Sequence, residues 1–310
     1  MVSYDGLLQK LNSRHLTKTA LAAQLGISSR TIAKIGRGER IADHVLVRIA
    51  AFLDCAPEEL CRSVSDNVLL QTLRDEKQIR MPGGLYHELQ IRMTYNSNHI
   101  EGSRLSEDQT RMIFETNTVD VAGGVAVDDI IETVNHFRAI DYVIDKAEEP
   151  LTEDIVKELH RILKQGTKDA ALGWFAIGDY KKRANVVGGR ETAAPREVPA
   201  RMNALLSAYE SLHSVSIHDI IRFHHDFERI HPFQDGNGRV GRLIALKECL
   251  RYAIVPFIIE DEKKMFYYRG LSEWEREKGY LTDTCLDGQD TFKKMMAMFD
   301  LSADLPERPL

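Results

Sequence analysis

The chain is poor in cysteine. Its 310 residues hold four, Cys55, Cys61, Cys249 and Cys285, and no two stand as C-x-x-C, which argues against a zinc knuckle or a thioredoxin-like redox pair. So few cysteines in a chain of this size read as reduced thiols of a cytosol. Long apolar runs are missing too. The longest strongly apolar stretch, Ala253 to Ile259, is interrupted by Pro256 and is far too short to span a bilayer. The N-terminus, MVSYDGLLQK, lacks a basic region followed by an apolar stretch, so no secretory signal is expected and a cytoplasmic location is. There is no excess of positive charge: 41 Lys and Arg stand against 47 Asp and Glu, a formal net charge of −6. Nucleic-acid binding along the whole chain therefore has no electrostatic basis. Internal repeats and low-complexity tracts are also absent.

What is present is ordinary globular composition, 43% apolar and 28% charged, long enough for about two domains at roughly 150 residues each. The charge is unevenly spread. Residues 1–62 carry nine Lys or Arg and six Asp or Glu, a net +3, which leaves −9 for the rest. Such asymmetry suggests separate modules. The first module reads as short helices. Leu21, Ala22, Leu25 and Ile27 form one apolar stripe, broken at Gly26. Ser28 or Ser29 can cap a following helix with Ile32 and Ile35 inside, ended by Gly36 and Gly38, and a third helix carries Val45, Leu46, Ile49, Ala50 and Leu53.

Residues 63–84 read as a mixed linker that ends in Met-Pro-Gly-Gly. The helical pattern resumes from Leu85 to Glu101 and ends at Gly102, then recurs over 106–117, 128–147, 152–165, 197–213 and 216–230. Thr152 can cap the helix that Gly166 closes. Between Trp174 and Pro199 the pattern changes. Val186-Val187 followed by Gly188-Gly189 suits a β-hairpin with a tight turn. The expected architecture is thus mainly α with one small hairpin. Met295, Met296 and Met298 read as core, and His224 and His225 as packing or loop support, since their spacing with His231 is not that of a helical zinc pair.

The segment richest in chemistry is HPFQDGNGRVGR, His231 to Arg242. A helix striped with Ile217, Ile220, Ile221 and Phe227 leads into His231, and Pro232 stops it. Asp235-Gly236-Asn237-Gly238 makes a tight loop, and a second apolar-striped helix begins at Val240. A Gly-rich loop at a helix N-terminus gathers backbone N–H groups and the positive dipole end on one point, which is an anion site. Arg239 and Arg242, three apart, share a helix face and suit bidentate phosphate binding. Asp235 offers a hard oxygen for Mg²⁺, and His231 is the one group of the loop that exchanges a proton near neutral pH. This equipment belongs to phosphoryl or nucleotidyl transfer.

The segment resembles the Fic-domain signature HPFx(D/E)GNGRxxR at every fixed position, and the likeness extends over roughly residues 85–300. GDYKKRANVVGGRETAAP is similar to the family's flap, FYYRGL to the helix after the core, and Ser97-Asn98-His99-Ile100-Glu101-Gly102 to an inhibitory (S/T)xxxE(G/N) element. LAAQLGISSRTIAKIGRG, within residues 5–62, resembles the helix-turn-helix of phage repressors. The resemblance implies a Fic-type helical bundle with a β-hairpin flap behind a small all-α helix-turn-helix domain. Its parts are a helix-turn-helix domain at 1–62, a linker at 63–84, an inhibitory region at 85–105, a catalytic core at 106–300 and a tail at 301–310.

By the same resemblance the activity is transfer of AMP from ATP, with Mg²⁺, to a Tyr, Thr or Ser of a target protein, with self-modification as one form. His231 would be the base and Phe233 an anchor. Asp235 would hold the metal, and Gly236, Asn237, Gly238, Arg239, Val240, Gly241 and Arg242 would line the phosphates, with Asn237 adding a side-chain donor. Val186, Val187, Gly188 and Gly189 would dock an extended target segment, and Tyr267 and Tyr268 would line the adenine pocket. Glu101, supported by Ser97 and Gly102, would pair with Arg242 and inhibit, and could align water for AMP removal. Ser29, Arg30, Thr31 and Lys34 would face DNA. Two alternatives stand beside this reading: a nucleotide-sensing DNA-binding regulator, and transfer of another phosphate-containing group. The target, the balance of AMP addition and removal, and a homodimeric state are left open.

Overall fold

The computed structural model describes residues 2–14, 16–37, 39–63, 67–120 and 124–301, and the chain divides into two compact units, Met1–Gln71 and Thr72–Leu310. Gly38, one of the two glycines expected to end the helix that holds Ile32 and Ile35, and most of the tail at 301–310 lie outside the described residues.

The first unit is built on α1 (Asp5–Ser13), α2 (Lys18–Leu25), α3 (Ser29–Gly36) and α4 (Asp43–Phe52). Thr17 starts α2 by accepting the Ala20 N–H at 3.0 Å, and Gly26 ends it in the left-handed region at φ 60°. Of the two candidate serines, Ser28 is the cap of α3, accepting the Thr31 N–H at 3.2 Å. Leu7, Leu21, Ile35, Ile49, Leu53 and Leu60 are buried in one cluster. The expectation of an all-α unit needs one correction. A two-residue antiparallel ladder, β1 (Val2–Ser3) with β2 (Arg62–Ser63), closes it end to end. Two residues per strand are too few for a period-two pattern to show.

A second correction concerns the stretch read as a linker, which holds α5 (Val68–Ile79). Leu69, Leu70 and Leu73 are buried, but this short stripe is diluted by the charges around it. Beyond the unit boundary, Arg74 and Lys77 pair with Glu148 at 2.7 Å and Asp145 at 2.6 Å.

The second unit contains α6 (Leu85–Ile100), α7 (Glu107–Thr116), α8 (Val127–Asp145), α9 (Glu153–Lys164), α10 (Val198–Glu210), α11 (Ile217–Ile230), α12 (Asn237–Arg251), α13 (Lys264–Glu273) and α14 (Gly279–Ala297). Ser106, Thr152 and Ser216 each accept a backbone N–H at the start of α7, α9 and α11. Helix α12 lies at the centre, packed by α6, α8, α9 and α11, and every residue from Asn237 to Leu250 is buried. A helix covered on all sides is a core element, and this one carries the Gly-rich turn at its N-terminus. The expected hairpin is present as β3 (Val186–Val187) and β4 (Arg190–Glu191), with Val186 opposite Glu191. Gly188 and Gly189 both have positive φ, 56° and 77°, which a two-residue turn of this hand requires. Met295 and Met296 are core as expected, whereas Met298 caps the end of α14 and is 67% exposed. Among the described residues no helix is long and apolar enough to cross a membrane.

Candidate active site

The turn between α11 and α12 is held by its own side chains. His231 closes α11 in the left-handed region, φ 51°, with its N–H donating to the Phe227 carbonyl at 2.9 Å. Histidine is among the side chains that tolerate this conformation. Phe233 is fully buried and stacks on His160 of α9 at 4.0 Å between ring centroids. Asn237 accepts the Phe233 N–H at 2.8 Å and donates to the Phe233 carbonyl at 2.9 Å. Its amide therefore clamps the turn, rather than reaching outward as the sequence suggested. Burial, reinforced by the Lys181 cation, lowers the His231 pKa to about 4, so the imidazole is neutral at pH 7. Its Nδ1 is buried, which leaves Nε2 to accept a proton.

Arg242, one turn into α12, is buried, and its donors go to the end of α6. Nε donates to Ser97 Oγ at 3.0 Å, and NH2 donates to the Ser97 carbonyl at 2.9 Å and to Glu101 Oε1 at 2.7 Å. Glu101 is also where an anion would sit at the N-terminus of α12: a Cβ on Gly238 would overlap Glu101 Oε1. The glycine lets a carboxylate approach the helix backbone. Gly102, φ 100°, lets the chain leave α6 directly after Glu101. Tyr268, on α13, donates to the Ile100 carbonyl at 2.9 Å and so holds the same helix end.

Arg239 is placed differently from expectation. Its guanidinium is buried and paired with Glu132 of α8, and it reaches Asp235 Oδ2 at 3.4 Å. Lys164 of α9, 2% exposed, bridges Glu132 at 2.6 Å, Asp169 at 3.1 Å and Asp235 at 2.7 Å. Burial would raise the Asp235 pKa, but Arg239 and Lys164 hold it at about 2. Asp235 is thus ionised and half exposed at the rim. Among the described residues no three His, Cys, Asp or Glu side chains form a metal-binding group. One ionised carboxylate still fits Mg²⁺, which takes one or two carboxylates together with substrate phosphates.

A cavity of about 700 Å³ joins the pieces, lined among others by Glu101, Val187, His231, Gly238, Tyr267 and Tyr268. Its size suits a nucleotide-sized ligand. Residues from the end of α6, the hairpin, the turn and α13 therefore meet at one place. Gly188 also lines it, while Val186 is exposed on the hairpin. Tyr267 is buried, its hydroxyl 2.8 Å from His224 Nε2 and 3.4 Å from Arg242 NH1, and so supports the arginine. Val240 and Gly241 are buried in α12; a Cβ on Gly241 would lie 2.7 Å from Glu228 Oε1 and 2.9 Å from the His224 ring. In the first unit, Ser29 and Arg30 are exposed on α3, and Thr31 and Lys34 are half-buried.

The sequence reading did not single out His160, Lys164, Glu132, Lys181 or Glu228. The nearest available signals were a lysine within the apolar stripe of α9 and a glutamate three residues before His231. Glu228 also lines the cavity. Burial and the neighbouring Glu101, opposed by Arg242, push its carboxyl pKa up to about 8. A carboxyl raised in the fold binds its proton there more tightly than in the unfolded chain. Its contribution to stability is then fully present below the unfolded pKa, roughly 4.3, and falls as pH rises towards 8. Glu228→Gln should flatten this fall, so that its melting temperature relative to wild type is higher at pH 8 than at pH 5. Calorimetry at the two pH values measures this; equal differences at both would contradict the assignment.

Residues 150–249, which span α9 to α12 and include the whole HPFQDGNGRVGR turn, match the Fic/DOC family. The chain carries a Fic domain. Residues 7–66 match the Cro/C1-type HTH DNA-binding domain. Among curated relatives, "Protein adenylyltransferase Fic" of Aedes aegypti is 29% identical over 248 residues, covering 77% of this chain and 46% of the relative. The protein of the same name from Drosophila virilis is 30% identical over 184 residues, covering 57% and 36%. The chain thus spans less than half the length of these relatives. Of solved structures, a Fic domain containing signaling protein from Bacteroides thetaiotaomicron superposes with a TM-score of 0.56 at 26% identity, covering 78% of this chain and 94% of that one. Fic-1 from C. elegans superposes with a TM-score of 0.58 over 92% of this chain; at 19% identity it bears on the fold alone.

Proposed function

We propose that the Fic domain is a protein adenylyltransferase that moves AMP from ATP to a hydroxyl side chain of a protein and that Glu101 holds it inactive. The observation that carries this reading is the placement of Glu101 Oε1 on Arg242 at 2.7 Å and over Gly238: one carboxylate occupies both the guanidinium and the helix N-terminus that a triphosphate would need. In the active state His231 Nε2 takes the proton of the acceptor hydroxyl, whose oxygen attacks the α-phosphorus. The bond to the β-phosphate oxygen breaks and pyrophosphate leaves. Gly236 and Gly238 present backbone N–H groups to the phosphates, and Arg242 binds the outer ones once Glu101 has moved. Arg239 reaches them only by loosening its ties to Glu132 and Asp235. Asp235 would hold Mg²⁺, which neutralises phosphate charge when bound. Tyr268 and the exposed Met265, which line the cavity, offer apolar and aromatic surface for the base. The hairpin edge at Val186 and Val187 offers backbone for an extended acceptor segment. Glu101, facing the same cavity, can orient a water for AMP removal.

The test is incubation with ATP labelled at the α-phosphate and Mg²⁺, using wild type and Glu101→Gly protein. Label on protein in the variant supports the reading; no label from ATP on any protein, itself or in a lysate, overturns it.

The match of residues 7–66 favours a second, compatible reading, in which the first unit binds DNA through α3. Arg30 is exposed there, while the Glu39 pKa is lowered first by its hydrogen bond to Arg37 and then by the nearby Lys34 and Arg30 cations. The expected affinity is modest and salt-dependent. In a mobility-shift assay on selected duplexes, Arg30→Glu should abolish a shift that wild type gives; no selected duplex shifted by wild type would count against this reading.

A further inference from the structure

Lys181 is an unusual cation. It is 3% exposed, and among the described residues its Nζ forms no ion pair with a carboxylate. Nζ donates instead to two neutral oxygens, Asn185 Oδ1 at 2.7 Å and Thr192 Oγ1 at 2.6 Å. Those residues are the two roots of the hairpin, immediately before β3 and immediately after β4. A buried charge without a counter-charge is costly, so this site needs a reason.

The hairpin roots are stitched to the catalytic turn. Lys181 N–H donates to the Pro232 carbonyl at 2.8 Å and Ala193 N–H to the Ile230 carbonyl at 3.3 Å, one on each side of His231. Asn185 Nδ2 points to the carbonyls of Phe233 and Gln234 at 3.3 and 3.4 Å. We infer that Lys181 is a positioning residue of the transfer reaction: its ammonium clamps both roots of the hairpin against the turn that carries His231, so that a docked acceptor and the base are held in register. This rests on the activity proposed above.

The clamp also brings charge to the base. Glu101 from the end of α6, Asp235 from the turn itself and the Glu228 carbonyl from α11 all favour a protonated His231, whereas burial and Lys181 oppose it. Lys181 is held as a cation down from its ordinary range only to about 8 by burial, so it carries its charge at pH 7.

The experiment compares Lys181→Arg, Lys181→Gln and Lys181→Met in the full chain, with two readouts. The first needs no activity: an NMR titration of the His231 Cε1–H, assigned with His231→Asn. The midpoint should rise by about one pH unit in Lys181→Gln and Lys181→Met and stay near wild type in Lys181→Arg. The second uses each substitution with Glu101→Gly. There KM for the acceptor protein should rise several-fold in the Gln and Met variants with KM for ATP unchanged, and the acid limb of the pH–rate profile should move up by the NMR shift. Should Lys181→Met fail to fold, Lys181→Gln retains a polar head for Thr192 and answers the same question. Unchanged midpoints in the Gln variant, or an unchanged acceptor KM, would overturn the inference. A shifted midpoint with no label transfer by any variant would overturn the proposed activity while still supporting the charge placement.

Discussion

Glu101→Gly is expected to raise ATP-dependent labelling by about 10- to 100-fold over wild type. The estimate follows from one charge-assisted hydrogen bond, which is worth roughly 1.5–3 kcal/mol, and from a factor of ten for every 1.4 kcal/mol. Both functions of the carboxylate disappear together: the 2.7 Å bond to Arg242 and the occupation of space above Gly238. Removing Ser97 Oγ alone should do less. Ser97→Ala deletes the 3.0 Å contact to Arg242 Nε but leaves the Ser97 carbonyl and Glu101 in place. Glu101→Gln should fall between, since a neutral amide oxygen still accepts from the guanidinium. Intact-mass measurement after incubation with ATP and Mg²⁺ reads all four proteins for self-modification, and filter-bound label reads added targets. Equal labelling in the four, with ATP shown to bind, would dissociate Glu101 from the control of Arg242. Activation also predicts tighter ATP binding in Glu101→Gly, because the anion no longer competes with an internal carboxylate for the same helix end.

How far the sequence foretold this site depends on how local each feature is. The turn from His231 to Arg242 was legible because its residues act within one short stretch: a histidine to end a helix, glycines to bring backbone to an anion, arginines one turn apart. The hairpin was legible because Val-Val-Gly-Gly leaves few alternatives for two positive-φ positions. The meeting of Glu101 with Arg242 joins residues 141 apart in the chain, and composition or periodicity alone could not supply it; the short pattern ending at Gly102 did. Lys164, Glu132 and Lys181 had no such pattern. Each is an ordinary charged residue in its own helix or loop, and only the packing of α8 and α9 on α12, or of the hairpin on the turn, gives it a partner. Asn237 shows the opposite failure. An asparagine in a Gly-rich loop reads as a ligand donor, yet its amide completes a ring with the Phe233 backbone. Arg239 likewise belongs to a buried network that the spacing of two arginines does not reveal. Helix α5 escaped because three buried leucines make too weak a period to rise above their charged surroundings, and the β1–β2 ladder because two residues per strand show no period at all.

His231→Asn in the Glu101→Gly background should lower the labelling rate by about 10²–10⁴-fold, the usual weight of a general base, while ATP binding is retained. Asparagine is the informative replacement. His231 sits at φ 51°, a conformation that asparagine accepts and that costs alanine more, so His231→Ala mixes loss of the base with backbone strain. The two variants should therefore be equally inactive but unequally stable, with His231→Ala melting lower. The imidazole makes no phosphate contact in this reading, so a thermal shift on adding ATP and Mg²⁺ should persist in both. The pH dependence separates chemistry from binding. With its pKa held at about 4 by burial first and Lys181 next, the base is fully deprotonated across the neutral range, so the Glu101→Gly rate should be flat from pH 6 to 8 on its acid side and fall only as pH approaches 4. A rate that persists in His231→Asn would assign proton removal to another group. Glu228, a carboxyl held on α11 beside the cavity, is poorly placed to take over, because a carboxyl with a pKa near 8 keeps its proton through most of that range.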